Sequence, residues 1–193
     1  MSKIDLLQSN LNHCARAQDL FLHTLTQYKC GVGIAADLHR ISPNHPCWAR
    51  DDQGSIAITW KEEVGSSSCI KIGAGRHHVA VEWGPVWMVG CYIPPSIRDL
   101  TRFGDVLDEI AVLVQRRLSE PIIVAGDFNV WNRLWGFRHT NGNGRVMKDW
   151  AAVLTLVLIN QGSNSTLVRP QRESIVDLTW ASPSAADRIA NWR

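Results

Sequence analysis

The chain has 193 residues, 45% hydrophobic and 20% charged, a composition that reads as an ordinary globular protein able to bury a core. Net charge is only +2, so no overall basic field marks it for nucleic acid, and no apolar run approaches the length of a membrane span. Five cysteines, an odd number with no Cys-x-x-Cys, argue against a disulfide framework and a cysteine zinc site, and fit a reducing, intracellular setting. Met1-Ser2-Lys3-Ile4-Asp5 does not read as a signal peptide. Without a low-complexity linker or a repeat, residues 1–193 are expected to form a single domain.

Residues 4–11 read as a strand running into a polar turn. Cys14, Ala17, Phe21, Leu25 and Tyr28 then fall on one helical stripe. Residues 31–36 form a short apolar strand. Residues 55–60, 70–73, 77–83 and 86–92 read as strands joined by tight turns, Gly84-Pro85 being the clearest. Pro94-Pro95 breaks the pattern, and a helix follows with Leu100, Phe103, Leu107, Ile110 and Val114 on one face. A buried strand at 122–125 comes next, then a helix carrying Met147, Trp150, Ala151, Leu154 and Leu158. Residues 174–181 are a late strand, and 183–190 open a final helix. Runs of strands broken by helices predict an α+β protein, with two sheets packed face to face and helices outside.

Polar groups collect at the predicted strand ends. Gln8-x-Asn10 ends the first strand and Asp37 the second. Gly126-Asp127-Phe128-Asn129 follows the apolar run Ile122-Ile123-Val124-Ala125. Residues two apart on a strand share a face, so Asp127 and Asn129 are expected to point the same way. A carboxylate beside an amide suits work on a phosphate: one handles a proton or a water, the other holds an oxygen. Asp177 lies within Ser174-Ile175-Val176-Asp177-Leu178-Thr179, where a carboxylate is costly unless paired or bound to a cation. These are hard oxygen donors, which favour Mg²⁺ or Mn²⁺ over zinc. The reaction class they suggest is metal-assisted phosphodiester hydrolysis.

Most of the nine Trp are expected in the core, with an exposed one able to stack on bases. Trp131, Arg133, Trp135, Arg138 and Arg145 cluster just after Asn129 and are the candidate DNA contacts. Arg116-Arg117 reads as a solvated helix face.

The motif order resembles the endonuclease/exonuclease/phosphatase superfamily, which includes the apurinic/apyrimidinic endonucleases. Within it, the closer resemblance is to the endonuclease domain of non-LTR (LINE-type) retrotransposons. The resemblance rests on Gly126-Asp127-Phe128-Asn129 followed by Leu134-Trp135-Gly136, the Asn141-Gly142-x-Gly144 loop, residues 174–182, and Cys91-Tyr92-Ile93-Pro94-Pro95-Ser96. It implies a four-layered α/β sandwich, two mixed β-sheets with helices outside. It implies Mg²⁺ (or Mn²⁺), with Asn10 and the acid at Asp37 at the metal. Asp127 would then orient or deprotonate the attacking water, Asn129 hold the scissile phosphate, Tyr92 position it, and Asp177 support a catalytic His. It further implies nicking of double-stranded DNA to prime reverse transcription, a reverse transcriptase in the parent polyprotein, and a nuclear location.

Two departures qualify that pattern. The family has Glu where Ala35-Ala36-Asp37-Leu38 stands here, and Asp falls short by about 1.5 Å, one C–C bond. The sequence also reaches Arg193 without the family's Ser-Asp-His segment, so a C-terminal strand is expected to be missing; none of the seven His stands in the equivalent position, and His39 and His139 lie in loops that could approach the site. The alternative readings are an impaired relative kept for binding nucleic acid or protein, and a phosphatase or exonuclease of the same superfamily.

Overall fold

The computed structural model describes residues 5–42, 45–61, 68–160, 167–169, 172–174 and 177–189. Contacts cluster into two compact units, Met1–Tyr92 and Ile93–Arg193.

In the first unit, β1 (Leu6–Asn10) runs parallel to β2 (Val32–Ala36), with Leu6 opposite Val32 and Asn10 opposite Ala36. Parallel neighbours need a crossover, and α1 (Ala15–Gln27) supplies it. β4 (Ile56–Trp60) pairs antiparallel with β2, and β3 (Trp48–Arg50) with β4, which completes a mixed sheet ordered β1-β2-β4-β3. All five residues of β2 are buried, as its unbroken apolar run requires. β5 (Cys69–Ala74), β6 (His78–Trp83) and β7 (Val86–Tyr92) form an antiparallel meander, and Gly84-Pro85 makes the β6–β7 turn. β6 and β7 pack against strands of the mixed sheet, giving the face-to-face arrangement within this unit. Gly90 allows the approach, because a Cβ there would lie 3.2 and 3.3 Å from Ile58 and Ile56 side chains. The helical stripe holds for Phe21 and Leu25, which are buried, while Cys14 and Tyr28 are exposed. The helix spans only Ala15–Gln27, so Cys14 and Tyr28 are its caps. β3 was not anticipated; at three residues it shows no period that could mark it.

The second unit opens with α2 (Leu100–Gln115), started by Asp99, whose carboxylate accepts the Arg102 N–H at 2.9 Å. Phe103, Val106, Leu107, Ile110, Ala111 and Val114 are buried along one face. Each large one contributes about 1.5–3 kcal/mol by leaving water. Leu100, expected on that face, is 51% exposed at the first turn. β8 (Ile122–Asp127) pairs antiparallel with β12 (Asp177–Ala181), and β12 with the two-residue β9 (Val157–Leu158). β10 (Leu167–Arg169) and β11 (Arg172–Ser174) pair with each other.

α3 (Gly142–Val153) packs on α2 and buries Met147, Trp150 and Ala151. The helix ends before Leu158, which belongs to β9, so the apolar period ran past its true stop. Asn141-Gly142-x-Gly144, read as a loop, is the cap and first turn of α3. The late strand begins at Asp177 and Ser174 closes β11, while Ile175 and Val176 lie outside the described residues. α4 covers only Pro183–Ala186, and Ala190 lies outside the described residues, as does Ile4 of the first expected strand. Among the described residues no helix is long and apolar enough to cross a membrane.

All five cysteines are free thiols. Burial pushes the Cys69 thiol up to about 12 and raises Cys91 further, whereas Cys14 is exposed. The thiolate is the reactive form. Limited alkylation near neutral pH, followed by peptide mass mapping, is therefore expected to modify Cys14 well before Cys69 or Cys91.

Candidate functional site

In the first unit the parallel β1–β2 pairing carries Asn10 and Asp37 to one sheet end. Asn10 is the last residue of β1, and Asp37 follows directly after its partner β2. Asn10 Oδ1 accepts the Asn12 N–H at 2.8 Å, so this Asn also forms the turn. Asn12, His13 and Asp37 have φ of 48°, 52° and 54°. Three left-handed residues in one small region cost free energy, and such backbone gathers at functional sites. The His13 N–H donates to the Asp37 carbonyl at 2.7 Å, and the Asp37 N–H to that of Ser55 at 2.7 Å.

His13 was missed in the sequence. Its Nε2 lies 2.8 Å from Asp37 Oδ1 and its Nδ1 2.8 Å from the Leu38 carbonyl. Both ring nitrogens thus face acceptor oxygens. The available signal was a His three residues after Asn10, within the same strand-end turn. His39 is exposed, with Nδ1 3.1 Å from the His13 carbonyl. Tyr92 ends β7 half-buried, its N–H donating to the His77 carbonyl at 3.0 Å.

In the second unit Asp127 ends β8 and Asp177 opens β12, directly opposite each other in the ladder. Asp127 is 3% exposed. Residues opposite each other place their side chains on one face of the sheet, so the two acids share a face, and like charges so placed oppose folding. Asp127 Oδ1 accepts the Asn129 N–H at 3.0 Å. Asn129 Nδ2 donates to the Ile93 carbonyl at 3.2 Å. The expectation that strand alternation aligns Asp127 and Asn129 is corrected: β8 stops at Asp127, and Asn129 has φ 50°. A tight turn closed by the Asp carboxylate joins them instead. Asn160, also unanticipated, braces the opposite strand: its Nδ2 donates to the Asp177 carbonyl at 2.9 Å and its Oδ1 accepts the Thr179 N–H at 2.7 Å.

Beyond Asn129 the chain folds into a pinned loop. Asn132 Oδ1 accepts the Leu134 N–H at 3.0 Å, and its Nδ2 donates to the Gly144 carbonyl at 2.9 Å. Asn141 Oδ1 accepts the Gly144 N–H at 2.7 Å and the Trp131 N–H at 3.2 Å. Trp131 is half-exposed and stacks on Phe137, ring centroids 4.9 Å apart and planes 3° from parallel. His139 meets both rings edge-on, at 5.2 and 5.0 Å. Arg133, Arg138 and Arg145 are exposed. Trp135 is not: it is 2% exposed, packs edge-on against Trp180 at 6.0 Å, and donates Nε1–H to the Val130 carbonyl at 3.3 Å. The expected DNA contact at Trp135 is therefore corrected to a core brace under the loop.

A divalent cation is implied by the family resemblance, and the donors present fit one by type. Asn10 and Asp37 offer oxygens in the first unit, and Asp127 and Asp177 in the second. Among the described residues no group of three or more His, Cys, Asp or Glu could hold a metal. A Mg²⁺ ion commonly completes its shell with waters and substrate phosphate. At Asp37 a cation meets competition, since His13 already holds Oδ1.

Residues 86–193 match the sequence model of a family described as Endonuclease-reverse transcriptase. The chain belongs to this endonuclease–reverse transcriptase family. No curated protein matches it by sequence. Among solved structures it is similar to the endonuclease domain of TRAS1, a telomere-specific non-LTR retrotransposon, with TM-score 0.86 and 18% identity, over 99% of this chain and 90% of that one. It is also similar to an AP endonuclease from Archaeoglobus fulgidus, with TM-score 0.71 and 12% identity, over 96% and 89% of the two chains. A 3′ phosphatase, NExo from Neisseria, bound to product DNA hairpin, gives TM-score 0.67 and 12% identity over 94% and 88%. At these identities the likeness shows the fold: the α+β, DNase-like sandwich of mixed sheets and helices expected from the sequence.

Proposed function

We propose that this family member is a metal-dependent endonuclease that nicks double-stranded DNA by phosphodiester hydrolysis. The observation that supports it most is the buried Asp127 facing Asp177 across the β8–β12 ladder. Like charges directly opposite on a ladder oppose folding, and costly features of this kind cluster at functional sites. Asp127 is assigned to orient or deprotonate the attacking water, and Asn129 to hold a phosphate oxygen. Tyr92 is assigned to position the phosphate and Asp177 to support the charged centre. Asn10 and Asp37 are assigned to Mg²⁺ or Mn²⁺, which when bound neutralises charge on the phosphate. Trp131, Arg133, Arg138 and Arg145 are assigned to the DNA. A nick of this kind leaves a 3′ hydroxyl that primes reverse transcription by a reverse transcriptase domain of the parent polyprotein, in the nucleus.

A second reading is a relative with impaired catalysis that binds nucleic acid. It is favoured by the His13–Asp37 contact at 2.8 Å and by the short Asp side chain. One titration separates the two. Supercoiled plasmid is incubated with the protein in chelator, in Mg²⁺ and in Mn²⁺, and open circles are counted. The endonuclease reading expects open circles in metal only. Asp37→Glu is expected to lower the Mg²⁺ concentration needed for half-maximal nicking, because the longer acid regains about 1.5 Å of reach. Folded protein that leaves the plasmid supercoiled with either metal, before and after Asp37→Glu, would put the binding reading ahead.

A further inference from the structure

The geometry points to a platform on the loop of residues 131–145 that stacks an unpaired base of single-stranded DNA. Stacking on a nucleobase needs an aromatic face held still, partly open to solvent, with cations nearby for the adjoining phosphates. Each element is present here. Trp131 and Phe137 are both partly exposed and stack in parallel, and His139 meets both edge-on. The three rings thus support one another and lose little freedom on binding.

Their backbone is equally constrained. Asn141 takes the Trp131 N–H on Oδ1 and gives its own N–H to the Trp131 carbonyl at 3.0 Å. Arg133 Nε donates to the Arg138 carbonyl at 3.3 Å, tying the two arms of the loop. Charge complements the rings: from Phe128 to Arg145 the sequence carries Arg133, Arg138 and Arg145, all exposed, and no acidic residue. In a chain of net charge +2 this is a concentrated positive segment beside an aromatic face. Bases inside a duplex cannot offer their faces to such a platform, whereas bases of a single strand can. The inference rests on the proposed function only in taking DNA as the ligand; it needs no cleavage.

The test is fluorescence anisotropy of end-labelled oligothymidylate and of a blunt duplex of equal length. The whole chain is used, in chelator and low salt so that cleavage cannot intervene. Oligothymidylate is expected to bind more tightly than the duplex. Trp131→Leu is expected to weaken oligothymidylate binding by about 10- to 100-fold and duplex binding by much less. Phe137→Leu keeps Trp131 while removing the ring stacked on it, and is expected to cause a smaller loss, again chiefly on the single strand. Arg138→Ala is expected to weaken both DNAs and flatten the salt dependence. Equal affinity for the two DNAs, no binding of oligothymidylate, or a folded Trp131→Leu protein with unchanged affinity would each overturn the platform. Plasmid nicking run in parallel separates the two ideas. Trp131-dependent binding without nicking by the wild-type protein leaves the platform standing and sinks the endonuclease; nicking with Trp131-independent binding does the reverse.

Discussion

Asp127→Asn is expected to reduce plasmid nicking by about 10²–10⁴-fold while leaving the protein at least as stable as wild type. The substitution removes one charge and turns one acceptor oxygen into an amide donor of the same size. Asn keeps an oxygen at the same place, so it still accepts the Asn129 N–H that Asp127 Oδ1 accepts at 3.0 Å. It cannot act as a base. The stability half of the expectation follows from the ladder. Asp127 is 3% exposed and stands opposite Asp177, and like charges in that position oppose folding. Removing one relieves the repulsion. Loss of activity with no fall in melting temperature is the signature of a residue held for chemistry at the expense of stability. Two assays on one preparation check it: open-circle formation and a thermal melt. Retained nicking would remove Asp127 from the reaction. A lowered melting temperature would mean that its charge serves the fold.

Gly144→Ala is expected to be the most damaging small substitution in the loop, destabilising the protein by about 2–5 kcal/mol. A Cβ at this position would lie 2.0 Å from the Trp131 carbonyl oxygen and 2.7 Å from its carbon. Those are backbone atoms, which cannot rotate away. Relief requires the first turn of α3 to part from Trp131, and the contacts between them then fail together. The Gly144 N–H donates to Asn141 at 2.7 Å, and the Gly144 carbonyl accepts from Asn132 at 2.9 Å. For a domain of this size the melting temperature should fall by roughly 4–20 °C. Gly104→Ala is the matched control, since nothing lies within 4 Å of a Cβ there and the residue is inside α2. It should raise stability by about 0.5–1 kcal/mol. If both variants melt alike, the loop is not pinned as described. Gly144→Ala is also expected to lose the Trp131-dependent part of oligothymidylate binding, because the same contacts hold that ring.

The elements differ in how well they were legible, and the reasons are local. α2 is nearly complete in the sequence, because its apolar residues recur at the helical period and Asp99 supplies a cap. β2 and β8 are plain as unbroken apolar runs. β3, β9, β10 and β11, at two or three residues each, are too short to show a period. Leu158 was assigned to a helix because an apolar residue four places after Leu154 continues the pattern, whether or not the backbone does.

The strand-end residues Asn10, Asp37, Asp127 and Asp177 could be picked out of the sequence because polar groups bordering apolar runs are costly unless used. The motif order also carried the family, since those residues follow one another along the chain. What the sequence could not contain was partnership, which depends on residues far apart in it. The parallel register that carries Asn10 and Asp37 to one sheet end, the ladder that sets Asp127 against Asp177, and the ring of His13 on Asp37 exist only once strands are paired. The two tryptophans of the loop make the same point. Trp131 and Trp135 look equally available in the sequence, yet packing buries Trp135 against Trp180 and leaves Trp131 partly open on Phe137. Residue type and order reveal which chemistry a chain can perform; only the burial and pairing imposed by packing decide which side chains are free to perform it.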